Sequence, residues 1–293
     1  MTELQRYLVE EIALDHADGL ISRREALRRL ALVGLGVSAA SSLLAALAPT
    51  AKATPAPAAR PQGHALAHAT TPITFRGPGG RKLMGAWASA AKPRGGVLVV
   101  HENRGLTDHI RSVASRFAAS GYSALAIDLL SEEGGTGHFA DEAAAMAALY
   151  GVPTSRFVAD MKAGVTELKR RLPGKKLAAT GFCFGGGMVW TLLAAREPRL
   201  AAAAPFYGPF PEGSSLKGSK TAVLGIYGAL DSRVNASRPA AAAALKAAGL
   251  PHQLVSYPNA DHAFFNDTGP RYNPTAAAAA FKRVLTWFAR YVG

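Results

Sequence analysis

Thr180-Gly181-Phe182-Cys183-Phe184-Gly185-Gly186-Gly187 is the stretch on which the reading of this chain turns. An apolar run over 176–181 leads into it, and residues 185–196 after it are patterned as a helix. Glycines on either side of Cys183 permit a tight, strained turn that no bulky neighbour could accompany. Such a turn lifts its central side chain out at the carboxyl end of a sheet. The helix start beyond it supplies free backbone N–H groups and the positive end of a dipole, both of which favour a thiolate. A glycine-rich turn around a buried, inert cysteine is the plainer alternative, and the rest of the chain decides between them.

Working outward, short apolar strands alternate with helical patterns from Pro72 onward. Residues 73–76 and 82–88 predict a hairpin about Pro78-Gly79-Gly80. Residues 96–101 (GVLVVH) form a continuous apolar run, as in a strand covered on both faces. A helix over 110–120 stops at Gly121, and 122–128 (YSALAID) is the next strand. Helices are expected over 141–150, 155–171, 238–248 and 275–292, and strands over 200–207, 222–228 and 253–257. This alternation predicts an α/β fold: a mostly parallel sheet of about eight strands with helices on both faces.

Two further residues fall where such a sheet gathers a site. Asp231 lies just past the end of the strand 222–228, and His262 lies in the loop after the strand 253–257. The chain order Cys183, Asp231, His262 is nucleophile, acid, histidine, the order of an α/β-hydrolase triad. A lone loop histidine or aspartate is usually only solvated; three such residues in order at strand ends point to chemistry.

Together Gly181–Gly186 (GFCFGG), His101-Glu102-Asn103-Arg104-Gly105, Tyr227-Gly228-Ala229-Leu230-Asp231 and Asp261-His262-Ala263-Phe264 resemble the dienelactone hydrolases (carboxymethylenebutenolidases), over about residues 72–293. The resemblance implies an α/β-hydrolase domain acting on a small ester or enol lactone. It also implies that Cys183 attacks the carbonyl, that His262 moves the proton, and that Asp231 orients His262. Backbone N–H groups of Phe184 and Asn103 would form an oxyanion hole, worth roughly 3 kcal/mol per donor. Glu102 would accept a hydrogen bond from the resting thiol and keep it guarded until substrate arrives. The family's two carboxylate-binding arginines are missing: Asn266 stands four residues after His262, and residues 129–133 (LLSEE) hold no arginine. Arg104 and Arg271 are candidate replacements, and Tyr207 and Phe264 candidate pocket walls.

The N-terminal region reads differently. Ser22-Arg23-Arg24 precedes an apolar, uncharged stretch from Leu30 to Ala48, with an A-x-A site at Ala51 and Ala53. That order predicts a twin-arginine signal over residues 1–53, hence an exported, periplasmic protein and the twin-arginine translocation machinery as a partner. An uncleaved membrane anchor and an amphipathic docking helix over 3–20 are the alternatives. Residues 54–71, rich in Pro and Ala, read as a flexible linker before the domain 72–293.

Charge narrows the partners. The first 53 residues hold six basic and six acidic side chains, so the net +13 belongs to the remainder. Those lysines and arginines are scattered without aromatic interleaving, which argues against nucleic-acid binding. The one cysteine excludes an intramolecular disulfide. No metal-ligand spacing, phosphate loop or dinucleotide fingerprint is present, so neither cofactor nor metal is expected. Contact with membrane is expected only through the signal segment. A non-catalytic exported binding protein on the same scaffold is the competing functional class.

Overall fold

The computed structural model describes residues 1–46 and 69–293. The linker read over 54–71 and the A-x-A site lie almost wholly outside the described residues. Eight strands form one sheet: β1 (Thr71–Arg76), β2 (Lys82–Ala88), β3 (Gly95–Val100), β4 (Tyr122–Asp128), β5 (Leu177–Phe182), β6 (Leu200–Phe206), β7 (Ala222–Gly228) and β8 (His252–Tyr257). The order across the sheet is β1-β2-β4-β3-β5-β6-β7-β8. β1 pairs with β2, and β2 with β4, antiparallel; every pairing from β4 to β8 is parallel. The expected α/β architecture is the one found.

Among the described residues three helices precede the sheet: α1 (Glu3–Ala17), α2 (Arg23–Leu32) and α3 (Val37–Ala46). Seven are woven through it: α4 (Asp108–Ala119), α5 (Glu142–Gly151), α6 (Thr154–Arg171), α7 (Phe184–Ala194), α8 (Ser232–Asn235), α9 (Arg238–Ala247) and α10 (Pro274–Tyr291). β3, β4, β5 and β7 are buried along their whole length, as strands sandwiched between helix layers must be. Their small residues let the helices close in. Ends are set locally: Asp141 caps α5 by accepting from Ala144 N at 2.8 Å, and Asn273 caps α10 from Ala276 N at 3.0 Å.

The described part of the segment read as a leader, residues 1–46, is helical and packed. Thr2 and Gln5 form a capping box at the start of α1, and Ser22 caps α2. The apolar stretch from Leu30 onward is interrupted, because α2 stops at Leu32 and α3 starts at Val37. Among the described residues no helix is long and apolar enough to cross a membrane. Leu8, Ile12, Ala13, Ala26 and Leu30 are buried together with the core of the domain.

Candidate active site

The turn after β5 is as tight as its glycines predict. Cys183 takes φ 56° and ψ −120°, outside the ordinary regions for an L-residue, and its N–H donates to Phe206 O at 3.1 Å. A Cβ on Gly181 would lie 2.2 Å from Gly185 O, and one on Gly185 would lie 2.4 Å from both Val100 O and His101 O. Only glycine allows β5, α7 and the end of β3 to approach this closely. Cys183 is thereby fixed at the first turn of α7, the expected nucleophile elbow.

Asp231 and His262, the other two residues of the expected triad, follow β7 and β8. Asp231 Oδ2 accepts from His262 Nδ1 at 2.6 Å, while its Oδ1 caps α8 from Val234 N at 3.1 Å. Cys183 Sγ lies within 4.8 Å of a His262 ring nitrogen. All three side chains are buried. Burial disfavours charge on His262, but Glu11, Asp231 and the Cys183 sulfur outweigh it and hold the imidazole pKa well above its usual 6.5. Burial likewise works against the Asp231 carboxylate, and His262 overcomes it, so its pKa is lowered.

Phe184, the first residue of α7, has an N–H with no acceptor inside its helix, as an oxyanion donor requires. Asn103 follows β3, whose terminal carbonyls abut Gly185. Both expected donors therefore belong to the two segments that meet at the elbow. Glu102 is buried nearby, but no hydrogen bond joins it to the thiol. Asn266 Nδ2 donates to Glu102 Oε2 at 2.6 Å, and Oε1 is buried without a protein partner. Asn266, standing where the family carries an arginine, thus serves to hold this glutamate.

The thiol's partner comes from the N-terminus. Tyr7 hydroxyl and Cys183 Sγ are hydrogen-bonded at 3.2 Å, and Glu11 Oε1 lies 3.5 Å from His262 Nε2. Arg233, two residues past Asp231, pairs with Glu11 and stacks its guanidinium 4.2 Å from the Tyr7 ring centre. Arg271 pairs with Asp15 at 3.1 Å and Asp18 at 2.6 Å. Despite burial, His262 and the two arginines keep the Glu11 pKa below its usual value; burial and Glu11 raise that of Asp15.

The expected substrate contacts need correction. Tyr207 is fully buried beneath His262, its ring centre 5.3 Å away, and Phe264 packs against Tyr207 and Tyr257 in the core. Neither lines the small cavity at Cys183. Tyr207 directly follows β6 and Phe264 lies in the loop after β8, positions where core and pocket aromatics look alike in sequence. Arg104 does reach that cavity, while paired with Glu142 at 3.1 Å. Arg271 lines it too, but is committed to α1. Tyr7, Glu11 and Arg233 were not anticipated. Their signal is the spacing Tyr7, Glu11, Asp15, Asp18, which places a hydroxyl and three acids on one stripe of a helix. Glu11, Cys183 and His262 also form a group of potential metal-ligand atoms, all within 4.8 Å of one another, although Arg233 already engages Glu11.

The sheet order and the elbow define an α/β-hydrolase-like enzyme. The sequence profile of the dienelactone hydrolase family matches residues 83–292, and the chain belongs to that family. A protein of Salmonella typhimurium, provisionally named a carboxymethylenebutenolidase, is 37% identical over 211 residues, covering 67% of this chain and 77% of its own. One of Methylorubrum extorquens with the same provisional name is 32% identical, covering 67% and 72%. Among solved structures, a provisionally named dienelactone hydrolase from Klebsiella pneumoniae superposes with a TM-score of 0.66 at 31% identity, covering 76% of this chain and all of the other. A dienelactone hydrolase-like promiscuous phosphotriesterase from metagenomic libraries gives 0.63 at 25% identity, covering 77% and 100%. The protein is a hydrolase of this family, and α1–α3 precede the residues that the family profile matches.

Proposed function

We propose that this hydrolase cleaves a small ester or lactone through a thioester on Cys183. The observation that carries the reading is the 2.6 Å bond from His262 to Asp231 beside a cysteine held at a strained elbow. In the first half-reaction the Cys183 thiolate attacks the carbonyl carbon and an S–C bond forms. Negative charge collects on the carbonyl oxygen, facing the N–H groups of Phe184 and Asn103. Collapse breaks the C–O bond, and His262 gives its proton to the departing alkoxide. In the second, His262 takes a proton from water, which attacks the thioester and frees the acid and Cys183. Asp231 keeps the imidazole oriented throughout.

Glu102, anchored by Asn266, leaves one carboxylate oxygen free to take the thiol proton once Tyr7 no longer holds the sulfur. The arginines implied by the family for a substrate carboxylate are absent, so the reading extends to simple esters as well as to enol lactones. The Arg23-Arg24 pair and the apolar stretch after it support export by the twin-arginine route to the periplasm, which fractionation of the native host would check. The hydrolytic reading is tested with an activated acyl ester and a dienelactone, comparing wild type with Cys183→Ala. The substitution is expected to lower turnover by about a thousand-fold or more. Equal rates in the two proteins would remove Cys183 from the mechanism.

A further inference from the structure

We propose that the mouth of the triad is a docking groove for an acidic amphipathic helix, and that α1 is its occupant and keeps the active site shut. Cys183 is 3% exposed and His262 5% exposed, a degree of closure that no ester could pass. The cavity beside them measures about 40 Å³, room for a few waters at most. A second, mainly apolar cavity of about 140 Å³ lies toward the start of α1, lined by Tyr7, Leu4, Phe184 and Met188. Tyr7 lines the second cavity and Glu11 the first, so the helix sits across a trough that runs over the thiol.

Three polar side chains of α1, Tyr7, Glu11 and Asp15, and Asp18 just past its end have partners in the catalytic domain. Tyr7 meets the Cys183 sulfur, Glu11 meets His262 and Arg233, and Asp15 and Asp18 meet Arg271. Leu8, Ile12 and Ala13 bury the apolar side. Both the nucleophile and the proton carrier are engaged by a segment that precedes the family's matched residues. A helix placed merely to stabilise a surface would not need to contact either. The same segment carries the Arg23-Arg24 pair read as an export signal, so removal of a leader after Ala53 would also remove this occupant.

The inference takes its meaning from the hydrolytic reading above, but its test does not use turnover. Cys183 is the chain's one cysteine, so alkylation by iodoacetamide reports access to it alone. In the full chain, Glu11→Lys combined with Asp15→Lys sets like charges against Arg233 and Arg271 and should release α1. The variant is expected to alkylate at least ten times faster than wild type, and a synthetic peptide of residues 2–18 should slow it again, where a scrambled peptide should not. An unfolded variant would gain no such protection. Wild type alkylating as fast as the variant, or the peptide failing to protect it, would overturn the proposal. Protection by the peptide, together with no ester turnover by the variant in its absence, would instead sink the cysteine-esterase reading and leave the docking groove standing.

Discussion

At the scale of single residues, the site is a set of charges that burial alone would not tolerate. His262 faces Glu11 from α1, Asp231 after β7, the Cys183 sulfur at the elbow and the Tyr207 ring below. Its folded pKa is raised, so the stability it contributes is fully present below about 6.5 and is lost as pH rises through the folded midpoint. Glu11 is lowered, so its contribution is present above its usual value and fades as pH falls through its folded midpoint. The network is strongest between those limits. Replacing Glu11 by Gln removes one anion, and the His262 midpoint read by NMR should move down toward that of a free imidazole. An unmoved midpoint would mean that Glu11 does not face the ring in solution. Asn266→Leu strips Glu102 of its buried donor and should cost about 2 kcal/mol in urea unfolding.

At the scale of elements, the decisive feature is how closely β5, α7 and β3 approach. Gly185→Ala would drive a methyl into two carbonyl oxygens 2.4 Å away. We expect a loss of about 3 kcal/mol or no folded protein, while Gly174→Ala, where a Cβ meets nothing, leaves the core undisturbed despite its φ of 76°. A Gly185→Ala protein with wild-type melting would contradict the packing described here. These elements were legible in the sequence because their patterns are local. Residues 122–128 and 222–228 are strands with the expected bounds, and Cys183, Asp231 and His262 fall at strand ends as read. The substrate walls were not legible, because a buried aromatic and a pocket aromatic carry the same local pattern; Phe264 proved to be core. The missing bond from Glu102 to the thiol was likewise invisible, since it depends on Tyr7, 176 residues before Cys183, and on Asn266, 164 residues after Glu102.

At the scale of the whole molecule, a hydrolase domain common to its relatives carries an N-terminal helical segment packed onto its active face. The order of residues reads as a leader there, and the docking alternative over 3–20 is legible only as an amphipathic helix, with nothing local to name its partner. Its counterparts Arg233 and Arg271 lie more than 200 residues downstream, beyond the reach of local pattern. Hydrogen exchange offers a direct check: α1 amides should be protected in wild type and lose protection in the Glu11→Lys, Asp15→Lys variant, with β3 and β5 unchanged. Loss of protection throughout the sheet would show that the pair supports the fold rather than the docking.

If Cys183 forms the covalent intermediate, intact-mass analysis after mixing with an activated ester will show it. Using both wild type and the opened variant separates chemistry from access. One acyl group per chain is expected, mapped to Cys183, accumulating faster in the opened variant and absent from Cys183→Ala. Ester turnover by the opened variant with no acyl group on Cys183, or an acyl group that persists in Cys183→Ala, would contradict it.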